Sequence, residues 1–245
     1  MDAKFGPFAA LAAGTRIGGV SETLTIAYWR SLGLGYTNAA DKLGITLVDQ
    51  GAANERDQLG QLSIAEDLIG QGFVALLLSS QTDANLIPAV EKVKAANIPV
   101  LNVNDAVIPS AKHYVDNAQK GNGVNVATTI LQQYPDLIGF YANHDGMALG
   151  VVEAVKAAGK QSQVAVFGTD GISDAYAAIK AGDLTGTVDS FPVLTGEIAI
   201  EVSHRLLAGQ KLQRVVATPQ ARITKDHVDT YATTDMAALR AALLK

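Results

Sequence analysis

The chain has 245 residues, of which 48% are hydrophobic and 18% charged, a globular balance that argues against disorder. Its net charge of −5 offers no electrostatic footprint for DNA or RNA, and no Lys/Arg cluster is dense enough for a lipid surface. It holds no cysteine, which excludes disulfides and thiolate chemistry, and no apolar run approaches the ~20 residues of a membrane span.

Residues 1–14 carry the short apolar stretch Phe8-Ala9-Ala10-Leu11-Ala12-Ala13 with Lys4 as the sole basic residue. That is a poor secretion signal, so the segment reads as a remnant of processing or cloning, or as a loose arm, and export would use a segment not present here. From Thr15 onward, short apolar runs alternate with helical periodicity. Residues 16–20 read as a strand and 28–43 as a helix with Leu32, Tyr36, Ala39, Ala40 and Leu43 on one face. Strand 45–48 follows, then helix 57–70 with Leu59, Leu62, Ala65 and Ile69 inward. The continuous run 73–78 is typical of a parallel strand covered on both faces. Helix 83–96 and strand 99–103 complete this half. After a turn-rich segment, helix 123–133, strand 137–141, helix 146–158, strand 164–167, helix 173–181, strand 184–188 and helix 194–207 repeat the rhythm. Regular βα alternation implies right-handed crossovers and parallel sheets, with ligands beyond the carboxyl ends of the strands.

Those ends are polar. Ser21, Glu22, Thr23 and Thr25 precede Tyr28-Trp29; Ser79-Ser80-Gln81-Thr82-Asp83, Asn104-Asp105, Asn143-His144-Asp145, Thr169-Asp170 and Asp189-Ser190 close later strands. Aromatic faces take the C–H surface of a sugar ring, and carboxylates and amides take paired hydroxyls. Bland readings stand beside this one. Ser79, Thr82, Asp83, Asp145 and Ser173 suit helix N-caps, Trp29 suits a core at a helix start, and His144 suits a structural hydrogen bond. Asp105 and Asp170 are the sharpest candidates because each ends a buried strand. Glycine fingerprints for dinucleotides or phosphates and a nucleophile elbow are missing, and the four histidines have no metal-ligand spacing. No cofactor, metal or catalytic residue is therefore expected.

At these positions the sequence resembles the type I periplasmic binding proteins, specifically the ribose-binding-like branch of sugar-transport receptors. The likeness is carried by Tyr28-Trp29-Arg30, Ala39-Ala40-Asp41-Lys42-Leu43-Gly44, residues 58–72, Ala95-Ala96-Asn97-Ile98-Pro99-Val100 and Asp116-Asn117 with Gly121. It continues in Tyr134-Pro135-Asp136, residues 143–150, Gly168-Thr169-Asp170-Gly171, and Thr218-Pro219 with Ile223-Thr224-Lys225. The resemblance implies an α/β fold of two Rossmann-like lobes with parallel sheets, joined by a three-segment hinge. The lobes would be 15–115 plus 191–220 and 116–190 plus 221–245. It implies a periplasmic or other extracytoplasmic receptor that closes on a sugar or sugar alcohol and delivers it to an ABC transporter permease. Nucleic acid is not an expected partner. The implied ligand contacts are Thr25, stacking from Tyr28 and Trp29, and hydrogen bonds from Ser79, Asn104, Asp105, His144, Asp170 and Ser190.

Three positions depart from the family pattern. Asp105 stands where Arg is common, His144 where Asn is common, and Ser190 where Gln is common; the first two argue against ribose itself. The second lobe also looks shortened after residue 131. Helix 123–133 runs directly into Tyr134-Pro135-Asp136, where relatives place two further βα units of ~30 residues each. A monomer is the expectation, and a dimer if that loss bares apolar faces. Two other readings of such a chain are the effector core of a lactose-repressor-type regulator and an α/β enzyme acting on a small polar metabolite.

Overall fold

Four consecutive apolar residues, Ala75–Leu78, form strand β3 and are buried on both faces, as a central parallel strand requires. The computed structural model describes residues 7, 9–82, 84–103, 120–214 and 216–243. They form two units, Met1–His113 with Pro192–Thr218, and Tyr114–Phe191 with Pro219–Lys245, so the chain passes between units three times.

In the first unit, β1 (Arg16–Thr23), β2 (Thr46–Ala52), β3 and β4 (Val100–Asn102) make a wholly parallel sheet in the order β2-β1-β3-β4. The order reverses direction at β1, which places a crevice beyond the carboxyl ends of β1 and β3. Helices α1 (Ala27–Leu43), α2 (Gln58–Gly70) and α3 (Ile87–Ala95) connect the strands, and α7 (Pro192–Leu207) packs along α1. The α1–α7 crossing is close because Gly35 and Gly196 face each other. A Cβ on Gly35 would strike the Val193 carbonyl, and one on Gly196 the Leu32 carbonyl. At the far end of α7, fully buried Arg205 donates to Glu201 Oε1 at 3.0 Å and to Gln210 Oε1 at 3.0 Å, so its charge is paired.

In the second unit, β5 (Gly139–Tyr141), β6 (Ala165–Asp170) and β7 (Gly186–Asp189) are parallel, while β8 (Ala221–Thr224) closes the sheet antiparallel, in the order β5-β6-β7-β8. Its helices are α4 (Lys120–Gln133), α5 (Asp145–Ala157), α6 (Ser173–Ala181), α8 (Val228–Thr233) and α9 (Met236–Leu243).

The α/β alternation holds, with three local corrections. The sheet of the second unit is not purely parallel, because β8 joins its edge in the opposite sense. The inward face of α2 is centred on Gln61, Ala65 and Leu68, with Leu62 and Ile69 packed against the core as expected, whereas Leu59 is 82% exposed. Helix α3 starts at Ile87 rather than near residue 83, because Thr82 and Asn85 close a turn on each other. Thr82 Oγ1 accepts from the Asn85 N–H at 3.1 Å, and Asn85 Oδ1 accepts from the Thr82 N–H at 3.1 Å. Pro88 then sits in the first helical turn, where its missing N–H costs nothing.

Candidate functional site

In the first unit, the ends of β1 and β3 are tied together by one side chain the sequence reading passed over. Gln61 is fully buried, and its amide donates to the Ser21 carbonyl at 3.2 Å and the Ser79 carbonyl at 2.7 Å. Its oxygen accepts from the Gln81 N–H at 3.1 Å and the Asn85 amide at 2.6 Å. All four hydrogen-bonding positions of the amide are filled, so it fixes the rim. Gln81 in turn donates to the carbonyls of Glu22 and Asn54, at 3.0 and 2.8 Å, while its own oxygen is buried and accepts nothing from the described residues.

The sequence candidates of this unit fall as follows. Thr25 is exposed at the end of β1, 3.1 Å from the Thr23 hydroxyl. Tyr28 and Trp29 meet edge to face with centroids 5.0 Å apart, both buried, and the Trp29 indole donates to Glu55 at 3.1 Å. Ser79 is buried and donates to the Val103 carbonyl at 3.0 Å, which braces β3 against the end of β4 and is not a helix cap. Asn104, Asp105 and Asp83 lie outside the described residues. Beneath the rim, Asp49 accepts from Ser21 at 3.1 Å. Burial pushes the Asp49 carboxyl up to about 6, against the lowering effect of that hydrogen bond.

The second unit gathers His144, Asp170 and Ser190 at the carboxyl ends of β5, β6 and β7. Residue 170 has φ 131° and Gly171 φ 87°, so a non-glycine side chain sits in strained backbone next to a glycine that tolerates it. Two buried carboxylates hold this turn. Asp145 accepts from the Gly171 N–H at 2.8 Å, the Ile172 N–H at 3.1 Å and the Thr187 hydroxyl at 2.6 Å. Asp189 packs against Gly171 so closely that a Cβ there would overlap its carboxyl, and it accepts from the Tyr176 hydroxyl and the Phe191 N–H, both at 2.6 Å. The Asp170 carboxylate lies 3.4 Å from the Asp145 N–H, and the Asp170 carbonyl accepts from the Ser190 N–H at 3.2 Å.

Helix capping is therefore redistributed. Asp145 is the first residue of α5, but its carboxylate reaches across to β7 and the β6–α6 turn, and His144 caps the helix by accepting from the Met147 N–H at Nδ1, 3.2 Å away. Ser173 opens α6, and Ile172 holds the cap position without a side-chain hydrogen bond. Asp189 and Tyr176 carry no motif of their own; the one signal for Asp189 was an acid at the end of an apolar strand.

Burial raises the Asp145 carboxyl to about 6 against three lowering hydrogen bonds, and raises Asp189 to about 7, with Asp145 nearby adding to the rise. With Asp49, three acids bind protons more tightly folded than unfolded. Their stabilising contribution is fully present below about pH 4 and is lost as pH rises through 6–7. Urea midpoints are therefore expected to fall between pH 5 and 7.5, and Asp189→Asn flattens that fall. A midpoint that climbs over this range would show that these carboxylates are not penalised by burial.

Among the described residues, no His, Asp or Glu group converges to hold a metal ion, and no helix is long and apolar enough to cross a membrane. A family model described as a periplasmic binding protein domain matches residues 107–211. The ribose import binding protein of Bacillus subtilis is 27% identical over 257 positions, covering 80% of this chain and 83% of that protein. The D-ribose/D-allose-binding protein of Pseudomonas aeruginosa is 27% identical over 249 positions, covering 73% and 78%. The chain is similar in sequence to the periplasmic binding proteins over most of its length and has the type I periplasmic binding protein fold. The fold agrees: the solute-binding protein of Actinobacillus succinogenes, solved with D-allose, superposes with a TM-score of 0.81 at 23% identity, over 88% of this chain and 99% of the other. An Agrobacterium vitis solute-binding protein solved with D-fucose gives 0.81 at 21% identity, over 87% and 97%.

The first alignment also shows a difference in length. Eighty per cent of 245 residues is about 196, so about 60 of the 257 aligned positions have no counterpart here. About 60 residues is the length of two βα units of ~30 residues each.

Proposed function

We propose that this protein is an extracytoplasmic solute receptor that binds a sugar or sugar alcohol and presents it to the permease of an ABC transporter. The observation that carries the reading is the Asp170–Gly171 turn. A carboxylate is kept in strained backbone at the end of a strand, and buried Asp145 holds the turn by accepting from the Gly171 and Ile172 N–H groups while Asp189 packs against Gly171. Such strain is stored where a side chain must be aimed. Relatives named for ribose and allose binding support a polyhydroxy ligand. The buried Gln81 oxygen adds an acceptor at the rim of the first unit. Tyr28, Trp29 and Thr25 are the proposed stacking and hydroxyl contacts there. Ser79, Asn104, Asp105, His144 and Ser190 remain proposed ligand contacts on the resemblance alone.

Micromolar capture needs ~8 kcal/mol, which a few hydrogen bonds to charged groups at ~1.5–3 kcal/mol each and one stacking contact can approach. The test is a thermal-shift screen over pentoses, hexoses and polyols. At least one member should raise the melting temperature, and Trp29→Ala should diminish that rise. Ligand-driven hinge closure, which the resemblance implies, would lower the radius of gyration in small-angle scattering. A flat screen over all three classes removes the sugar reading.

A further inference from the structure

We infer that the edge of the second unit's sheet, strand β5, is a homodimer interface at which a second copy of this chain adds its own β5 antiparallel.

The second unit exposes four large apolar side chains among the described residues, and all four fall in one stretch of chain: Val126 at 50%, Tyr134 at 60%, Ile138 at 76% and Tyr141 at 69%. Among the described residues, β5 pairs with β6 alone and lies at the edge of the sheet. The Ile138 carbonyl and the Ala142 N–H bond to β6, at 2.9 and 2.8 Å. By the alternation of a strand, the N–H and C=O groups of Gly139 and Tyr141 point outward. Among the described residues, one face of the sheet is also only partly covered. Gly168 backs onto Asp145 and Ala148 of α5, so Phe167 and Thr169 point the other way, and the Tyr141 hydroxyl, 2.6 Å from Thr169 Oγ1, lies on their side. Phe167, Thr169 and Val188 are only half-buried. Parallel strands are normally covered on both faces and protected at their edges. The bare region adjoins Tyr134-Pro135-Asp136, where the resemblance implies two further βα units in relatives.

A second copy fits this edge better than an unrelated chain, for three reasons. A two-fold axis through Phe140 sets Gly139 of each copy opposite Tyr141 of the other. Both outward-facing residues then exchange N–H···O bonds, and glycine leaves room beside the tyrosine ring. Residues 121–144 carry one formal charge, Asp136, so two copies of a chain with net charge −5 can approach here without opposing like charges. The four exposed side chains offer about 500 Å² per copy. Two copies can therefore remove at most about 1,000 Å² from water, with Tyr141 on one face of the joined edge and Ile138 on the other, which is the lower limit of a specific interface.

Light scattering coupled to size exclusion, from 1 to 100 μM by order of magnitude, is expected to give about twice the 25.5 kDa chain mass. The double variant Ile138→Lys/Tyr141→Lys is expected to weaken the dimer at least about 100-fold, with unchanged far-ultraviolet circular dichroism because both side chains are exposed. Hydrogen exchange on the unaltered chain gives a second readout that needs no variant: the Gly139 and Tyr141 amides should slow as concentration rises. A chain mass at every concentration overturns the inference. So does a dimer that survives the lysines, growth beyond two copies, or exchange at Gly139 and Tyr141 that ignores concentration.

Discussion

Replacing Asp145 with Ala is expected to lower the unfolding free energy by about 3–5 kcal/mol, the largest stability loss of any single change at the proposed site. The carboxylate is fully buried and accepts from three donors on two other segments, the Gly171 and Ile172 N–H groups and the Thr187 hydroxyl. Truncation leaves all three buried without partners, at ~1–3 kcal/mol each. Part of that loss is offset near neutral pH, because burial already raises the Asp145 carboxyl to about 6 and its removal relieves the cost of ionising it there. Asp145→Asn keeps the shape and one acceptor oxygen, and should lose about half as much. Urea unfolding at pH 5 and pH 7 separates the two effects, with the larger loss at pH 5. A change under about 1 kcal/mol for the alanine variant would mean that water replaces the carboxylate and that the turn does not depend on it.

The strands were legible where burial on both faces leaves nothing polar to write. Ala75–Leu78 reads as a strand because every residue in it must be apolar. The end of β6 was legible for the complementary reason, since Asp170 interrupts an apolar run at a place where only a ligand or a turn would want an acid. What stayed hidden is cross-chain pairing. Gln61 occupies an inward helix position that periodicity assigns to a hydrophobe, and only its four partners explain why an amide can sit there. Asp145 looks like a helix cap because its partner Thr187 lies 42 residues away. The antiparallel sense of β8 is equally invisible, because a four-residue strand carries no mark of direction. The expectation of a shortened second lobe rests on flanking motifs that abut, with helix 123–133 running directly into Tyr134-Pro135-Asp136.

Asp170 allows strain and binding to be separated, because glycine removes one with the other. Asp170→Gly places the residue that best tolerates φ 131° at that position, so the unfolding free energy should hold or rise by about 1 kcal/mol. The same change deletes the carboxylate and with it a charge-assisted hydrogen bond to a ligand hydroxyl of ~2–3 kcal/mol, an affinity loss of about 30–150-fold by titration calorimetry. Asp170→Asn keeps the strain and an acceptor but not the charge. It should fall between the parent and glycine in affinity, and match the parent in stability. A residue that served only the fold would behave in the opposite way, with affinity moving only as far as stability moved. If the glycine variant binds within about threefold of the parent, the strained backbone at the end of β6 is not there to aim a carboxylate at a sugar, and the ligand must be held by other groups.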